Sequence, residues 1–195
     1  MTAYGAVRAV FAPLIRAIWS ARAEGAALPA GPLLVVSNHD SLADPFFLGT
    51  AVDRPLRFLA KQELWGNGIA GRMLDGLGGI PVRRGRGDLD ALAAASAALR
   101  GGAVVAIFPQ GTVLGSEGRA WHRGAARLAL ATGAPIVPVR IVGADRALRP
   151  GTRIPRRARV RVVVGEPIRV EPAPATIAAA KELTARVRAT IESLA

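Results

Sequence analysis

Leu33-Leu34-Val35-Val36-Ser37-Asn38-His39-Asp40-Ser41-Leu42-Ala43-Asp44-Pro45 reads as a strand, a polar loop and the start of a helix. The apolar, partly β-branched run Leu33–Val36 suits a short strand buried on both faces. Asp44 fits a helix N-cap and Pro45 the first helical position of a segment running to Val52. His39 thus stands where a strand gives way to a loop, and Asp44 where a helix begins. In an open α/β sheet that junction is the crevice where ligands bind.

The spacing has a chemical use. A histidine acts as a general base when one ring nitrogen is a free acceptor, and a carboxylate on the other nitrogen fixes that tautomer and stabilises the imidazolium. The loop between them is short enough to bring Asp44 back onto His39. A substrate hydroxyl can then be the attacking group, so no Ser or Cys nucleophile is needed. The same two residues also fit an ordinary loop histidine beside a helix cap.

Outward from this stretch, strands alternate with helices. Strands are expected at Arg57–Lys61, Gly78–Arg84, Ala103–Phe108 and Pro135–Val142, with Ala103–Phe108 at the sheet centre. Helices are expected over Gly66–Leu77, with an apolar face at Ile69, Met73, Leu74 and Leu77, and from an Asp88 cap to Leu99, with Leu89, Leu92 and Leu99 inward. Further helices begin near Trp121 and run from Thr176 to Leu194, the latter with Ile177, Leu183, Val187 and Ile191 inward. Arg159 and Arg161 alternate with Val160 and Val162, a strand with one wet face. That face suits either a surface for anionic headgroups or carrier protein, or a sheet edge protected by charge. The expected class is α/β, a mostly parallel sheet covered by helices on both faces.

Residues 2–24 carry Val7, Val10, Phe11, Leu14, Ile15, Ile18 and Trp19 at helical spacing, with Arg8, Arg16 and Arg22 beside them. They read as an amphipathic helix, lying in a membrane interface or packed on the chain's own core. The expected division is residues 1–30 as this helix and a connector, and 31–195 as one domain.

Composition narrows the function classes. The chain has 195 residues, no Cys and two His, so a disulfide framework, a cysteine nucleophile and a multi-histidine metal site are excluded. No apolar run reaches the ~18 residues of a spanning helix, and no signal peptide is evident. The net charge of +12, almost all from Arg, favours anionic partners. With 5% aromatics and no recognisable nucleic-acid module, a nucleic-acid partner is not expected. The expected location is peripheral, at the cytoplasmic face of the cell membrane.

Two further segments carry chemistry. Arg83 and Arg84 end the Gly78-Gly79-Ile80-Pro81-Val82 segment with forked donors that match phosphate geometry. Pro109-Gln110-Gly111-Thr112 is a sharp turn whose backbone N–H groups can hold a phosphate or an oxyanion. His39-x4-Asp44, Gly78–Arg84, Phe108–Thr112 and Ile136–Val139, in that order, resemble the glycerolipid acyltransferase family, whose best-known members are the 1-acylglycerol-3-phosphate acyltransferases. The resemblance runs from Leu33 to Val142.

It implies that the chain is an acyltransferase of that fold. His39 would activate an acceptor hydroxyl for attack on an acyl thioester, with Asp44 orienting it. Lys61 would lie near the acceptor phosphate, and Arg84 aligns with the family's motif arginine. Arg123-Gly124-Ala125 match a basic-Gly-Ala segment. The donor would be acyl-CoA or acyl carrier protein, the acceptor a lysolipid at an anionic membrane, with no metal or other cofactor. The chain departs from the family at two positions: Gln110 replaces the usual Glu and Val113 the usual Arg. Acceptor-phosphate binding then falls to Lys61, Arg84 or Arg123, and a glycolipid or amino-lipid acceptor stands as the alternative. A non-catalytic lipid-binding relative is a further one.

Overall fold

A computed structural model describes residues 3–66, 68–76, 78–83, 89–113, 120–148, 152 and 154–194. Arg84, Arg86, Asp88 and Leu77 lie outside the described residues, as do the side chains of Val7, Val10, Phe11, Ile69 and Met73.

The helices are α1 (Ala3–Trp19), α2 (Asp44–Ala51), α3 (Gly68–Gly76), α4 (Leu89–Arg100), α5 (Gly124–Thr132), α6 (Ala144–Ala147) and α7 (Ile177–Ser193). The strands are β1 (Arg22–Gly25), β2 (Leu33–Ser37), β3 (Leu56–Lys61), β4 (Ile80–Val82), β5 (Val104–Ile107), β6 (Ile136–Val142) and β7 (Arg161–Val164). They form one sheet in the order β1-β7-β6-β2-β5-β3-β4. β2, β3, β4, β5 and β6 are mutually parallel, and β1 and β7 run against them.

β2 is the middle strand, and every residue of it is fully buried. Its side chains alternate between two apolar layers, which is why it reads as a continuous apolar run. Leu34 and Val36 pack with α4, α5 and α7 through Ala95, Leu99, Ala129, Leu183 and Val187. Leu33 and Val35 pack with α1, α2 and α6 through Ile15, Phe47, Leu48 and Ala147. The sheet is therefore covered on both faces, as expected.

Several boundaries differ from expectation. The first helix stops at Trp19, not residue 24. Val160 N–H donates to Trp19 O at 3.2 Å, Trp19 Nε1 donates to Arg156 O at 2.8 Å, and Ser20 turns the chain with φ +44°. Residues 22–25 then pair with β7 as the edge strand. β7 consequently lies inside the sheet, so its Arg161 guards no edge. β2, not β5, takes the centre. Asp44 is the first residue of α2, with Ala43 at the N-cap, because its side chain is engaged elsewhere. Leu89 and Ile177 are 72% and 65% exposed, since each starts its helix before the apolar face turns inward.

Candidate active site

The carboxyl ends of β2, β5, β3 and β4 lie side by side along one edge of the sheet. The chain reverses between β6 and β7, so the lead-in to β7 reaches that edge too. Each candidate side chain is placed by one of these ends.

Asn38 follows the last residue of β2. Its side-chain amide stands in for a further backbone rung: Nδ2 donates to Ile141 O at 2.8 Å, and Oδ1 accepts from Ile141 N at 2.7 Å. His39 comes next, held from the neighbouring strand end. Its backbone N–H donates to Gln110 Oε1 at 2.7 Å, and its ring stacks on Phe108 with centroids 4.2 Å apart and planes 21° from parallel. Ser41 closes the loop by donating from Oγ to Leu148 O at 2.9 Å.

Asp44 is fully buried, and three donors converge on its Oδ2: His39 Nδ1 at 2.9 Å, Asp40 N at 2.8 Å and Ser41 N at 2.8 Å. The backbone N–H groups of Asp40 and Ser41 both donate to Oδ2, so this oxygen meets the His39 ring as an acceptor. His39 Nδ1 therefore holds a proton, and Nε2 keeps its lone pair in the neutral ring. Among the described residues Nε2 has no hydrogen-bond partner, and the His39 side chain is 16% exposed at the crevice. Burial pushes the Asp44 carboxyl up from its ordinary 3.8; the hydrogen bond and charge of His39, then the N–H groups of Ser41 and Asp40, oppose that rise.

Gln110 is buried and faces the His39 backbone. Its side chain thus positions the loop, a role sequence reasoning did not assign. Gly111 takes φ +70°, where a Cβ would come within 3.2 Å of the His122 ring, and its N–H donates to Phe108 O at 3.0 Å. The turn's backbone amides at Gln110 and Thr112 have no partner among the described residues. Val113 is buried at 8% exposure, so a buried valine holds the position where the sequence resemblance leads one to expect an arginine.

Lys61 is exposed at the end of β3. Leu33 and Leu56 share the partner Val104, so extending the register sets Lys61 level with Asn38. Two strand spacings, about 10 Å, separate them across the sheet. Arg83 follows β4 and donates from Nε to Gln62 Oε1 at 2.9 Å, beside Lys61. Arg123 is exposed at the N-cap of α5. The edge therefore unites His39, Asp44, Gln110, Gly111, Thr112, Lys61 and Arg83. Arg84 lies outside the described residues.

Asn38, Ser41 and Phe108 were missed. The signal for Asn38 and Ser41 was polarity directly after a buried strand. For Phe108 it was an aromatic ending the run that pairs with β2.

A family model for acyltransferases matches residues 20–142. The chain belongs to the acyltransferase family. Similar members include a chloroplastic 1-acyl-sn-glycerol-3-phosphate acyltransferase (LPAT1) of Arabidopsis thaliana, 30% identical over 142 residues, or 70% of this chain and 39% of the relative. A lyso-ornithine lipid O-acyltransferase of Pseudomonas aeruginosa is 36% identical over 115 residues, 58% of this chain and 44% of the relative. The chain thus spans less than half the length of either relative. The structure of PlsC, a 1-acyl-sn-glycerophosphate acyltransferase of Thermotoga maritima, superposes with a TM-score of 0.74 at 23% identity, covering 98% of this chain and 78% of that one. The likeness to that structure is one of fold.

No described helix is long and apolar enough to cross a membrane. Among the described residues, no cluster of His, Cys, Asp and Glu is suited to a metal ion.

Proposed function

We propose that this chain transfers a fatty acyl group from acyl-CoA or acyl carrier protein to a hydroxyl of a lysoglycerophospholipid such as 1-acylglycerol-3-phosphate, working peripherally at the cytoplasmic face of an anionic membrane. One observation carries the reading: His39 is held by a buried carboxylate on Nδ1 while Nε2 opens onto the crevice. Nε2 removes the acceptor hydroxyl proton as the oxygen attacks the thioester carbonyl. Asp44 stabilises the imidazolium so formed. The free amides of Gln110 and Thr112 are the donors for the oxyanion of the tetrahedral intermediate. Collapse of that intermediate expels the thiolate, which takes the proton from His39. Lys61 and Arg83 form the basic flank for the acceptor phosphate, with Arg123 and, by its place in the sequence motif, Arg84 as further phosphate-binding candidates. The thioester already supplies an activated acyl group, so the step calls on no cofactor.

A second acceptor class, a zwitterionic amino-lipid, is favoured by Val113: a buried valine stands where the family's arginine would meet phosphate.

The test incubates the full chain with acyl-CoA or acyl carrier protein and a lysolipid mixture, with mass spectrometry of the products. An acylated lysophospholipid is expected. His39→Ala should lower its rate roughly 10²–10⁴-fold while thermal unfolding stays unchanged. A variant keeping more than half the rate would exclude His39 as the base.

A further inference from the structure

Basic residues stand on both sides of His39 along the crevice edge. Lys61 and Arg83 lie on the β3–β4 side. On the other side, β7 sits two strands from β2 and begins at this same edge. The segment leading into it carries Arg156, Arg157 and Arg159, all exposed. Among the described residues, the guanidinium groups of Arg157 and Arg159 have neither a hydrogen-bond nor an ion-pair partner, whereas Arg161 pairs with Glu24 at 3.0 Å.

These two arginines wall a cleft of about 290 Å³ whose other lining residues are Ala17, Ile18, Ser20 and Ala158. The cleft is built, since Val160 N–H and Trp19 Nε1 tie its two walls together. One wall is the last turn of α1. On this helix Leu14 and Ile18, one helical turn apart on one face, are 51% and 47% exposed. Ile18 belongs to both the cleft and the apolar stripe. Leu42, in the loop after His39, and Phe46, in the first turn of α2, are also 52% and 43% exposed. Unpaired guanidinium groups beside exposed aliphatic side chains match the headgroup and acyl boundary of an anionic bilayer. An acidic carrier protein would match the arginines but leave Leu14 and Ile18 without a purpose.

We infer that the Arg157–Arg159 cleft binds the phosphate of anionic phospholipid headgroups, docking the crevice edge of the sheet against the bilayer. The inference rests on the lipid-acceptor reading above. It deepens that reading by naming the surface that meets the membrane and the orientation it imposes, with His39 facing the lipid.

The test is sedimentation of the full chain with vesicles of phosphatidylglycerol and phosphatidylcholine, or of phosphatidylcholine alone. Arg157→Gln with Arg159→Gln should lower the partition coefficient for the anionic vesicles roughly 30-fold. Arg186→Gln with Arg188→Gln, on α7 and the other layer, removes the same charge and should change it less than about twofold. Equal binding of wild type and cleft variant, or equal loss in both variants, overturns the inference. So does a wild type that ignores anionic vesicles. If that wild type still acylates lysolipid in detergent, the acyl-transfer reading stands without it. A cleft variant with normal vesicle binding but a raised KM for acyl carrier protein identifies the protein donor as the occupant and also overturns the lipid assignment.

Discussion

Replacing Asp44 by Asn separates two contributions of this carboxylate. In a Ser-His-Asp triad the same change costs about 10⁴-fold because the new amide inverts the histidine tautomer. Here all three donors meet on Oδ2, and Oδ1 has no partner among the described residues. The asparagine carbonyl can take the Oδ2 position, accept the same three hydrogen bonds and keep Nε2 as the acceptor. What disappears is the negative charge 2.9 Å from Nδ1. At an effective dielectric constant of about 20, that charge attracts a full imidazolium by roughly 6 kcal/mol. With the proton about half transferred in the transition state, about 3 kcal/mol is lost, or roughly 150-fold in rate. The assay is kcat for thiol release from the acyl donor at saturating acceptor, with a parallel thermal melt. KM should hold for both substrates, and the midpoint should stay within about 4 °C. The pH dependence of stability should change as well. Burial raises the folded-state pKa of Asp44, so this group's contribution to stability, full below 3.8, is lost as pH rises through that raised value. Asp44→Asn should lack that decline. A variant with over half the wild-type rate would refute the dyad, and a 10⁴-fold loss with an intact melt would refute the convergence on Oδ2.

Gln110→Ala leaves the His39 N–H without its acceptor and should lower stability by about 1–3 kcal/mol, read by thermal or urea unfolding. Gln110→Glu keeps that acceptor while adding a negative charge beside the imidazolium, so the acid limb of the kcat/KM profile should move to higher pH. Arg140 on β6 donates from Nη1 to the carbonyls of Ile191 and Glu192 at the end of α7. Arg140→Ala should therefore lower the melting midpoint by a few degrees, about 1 kcal/mol, with kcat/KM unchanged.

Where a residue's role followed from its neighbours in sequence, the chain was legible. The apolar run Leu33–Val36 and the alternation of strands with helices were enough for the layered sheet. The His39–Asp44 spacing was enough for their contact, because the loop between them is short. Contacts between distant segments were not legible. Gln110 lies 71 positions from His39 and Asn38 lies 103 from Ile141, and only the order of strands brings each pair together. Strand order also hid the edge strand at Arg22–Gly25: Arg-Ala-Glu-Gly has no apolar pattern, and it pairs only because β7 presents a free side. The termini of α4 and α7 misled for a local reason. A helical periodicity extended one turn too far counts Leu89 and Ile177 as inward-facing.

The rung supplied by Asn38 has a mechanical consequence. A loop tethered at its tips samples positions on its own, within nanoseconds to microseconds. The residue before His39 is instead bonded like a member of the sheet, to both polar groups of Ile141. Shifting the backbone that carries the imidazole means unzipping the end of the β2–β6 seam. The backbone seat of the base thus shares the slow clock of the sheet, and only the ring's own torsions are left to adjust it.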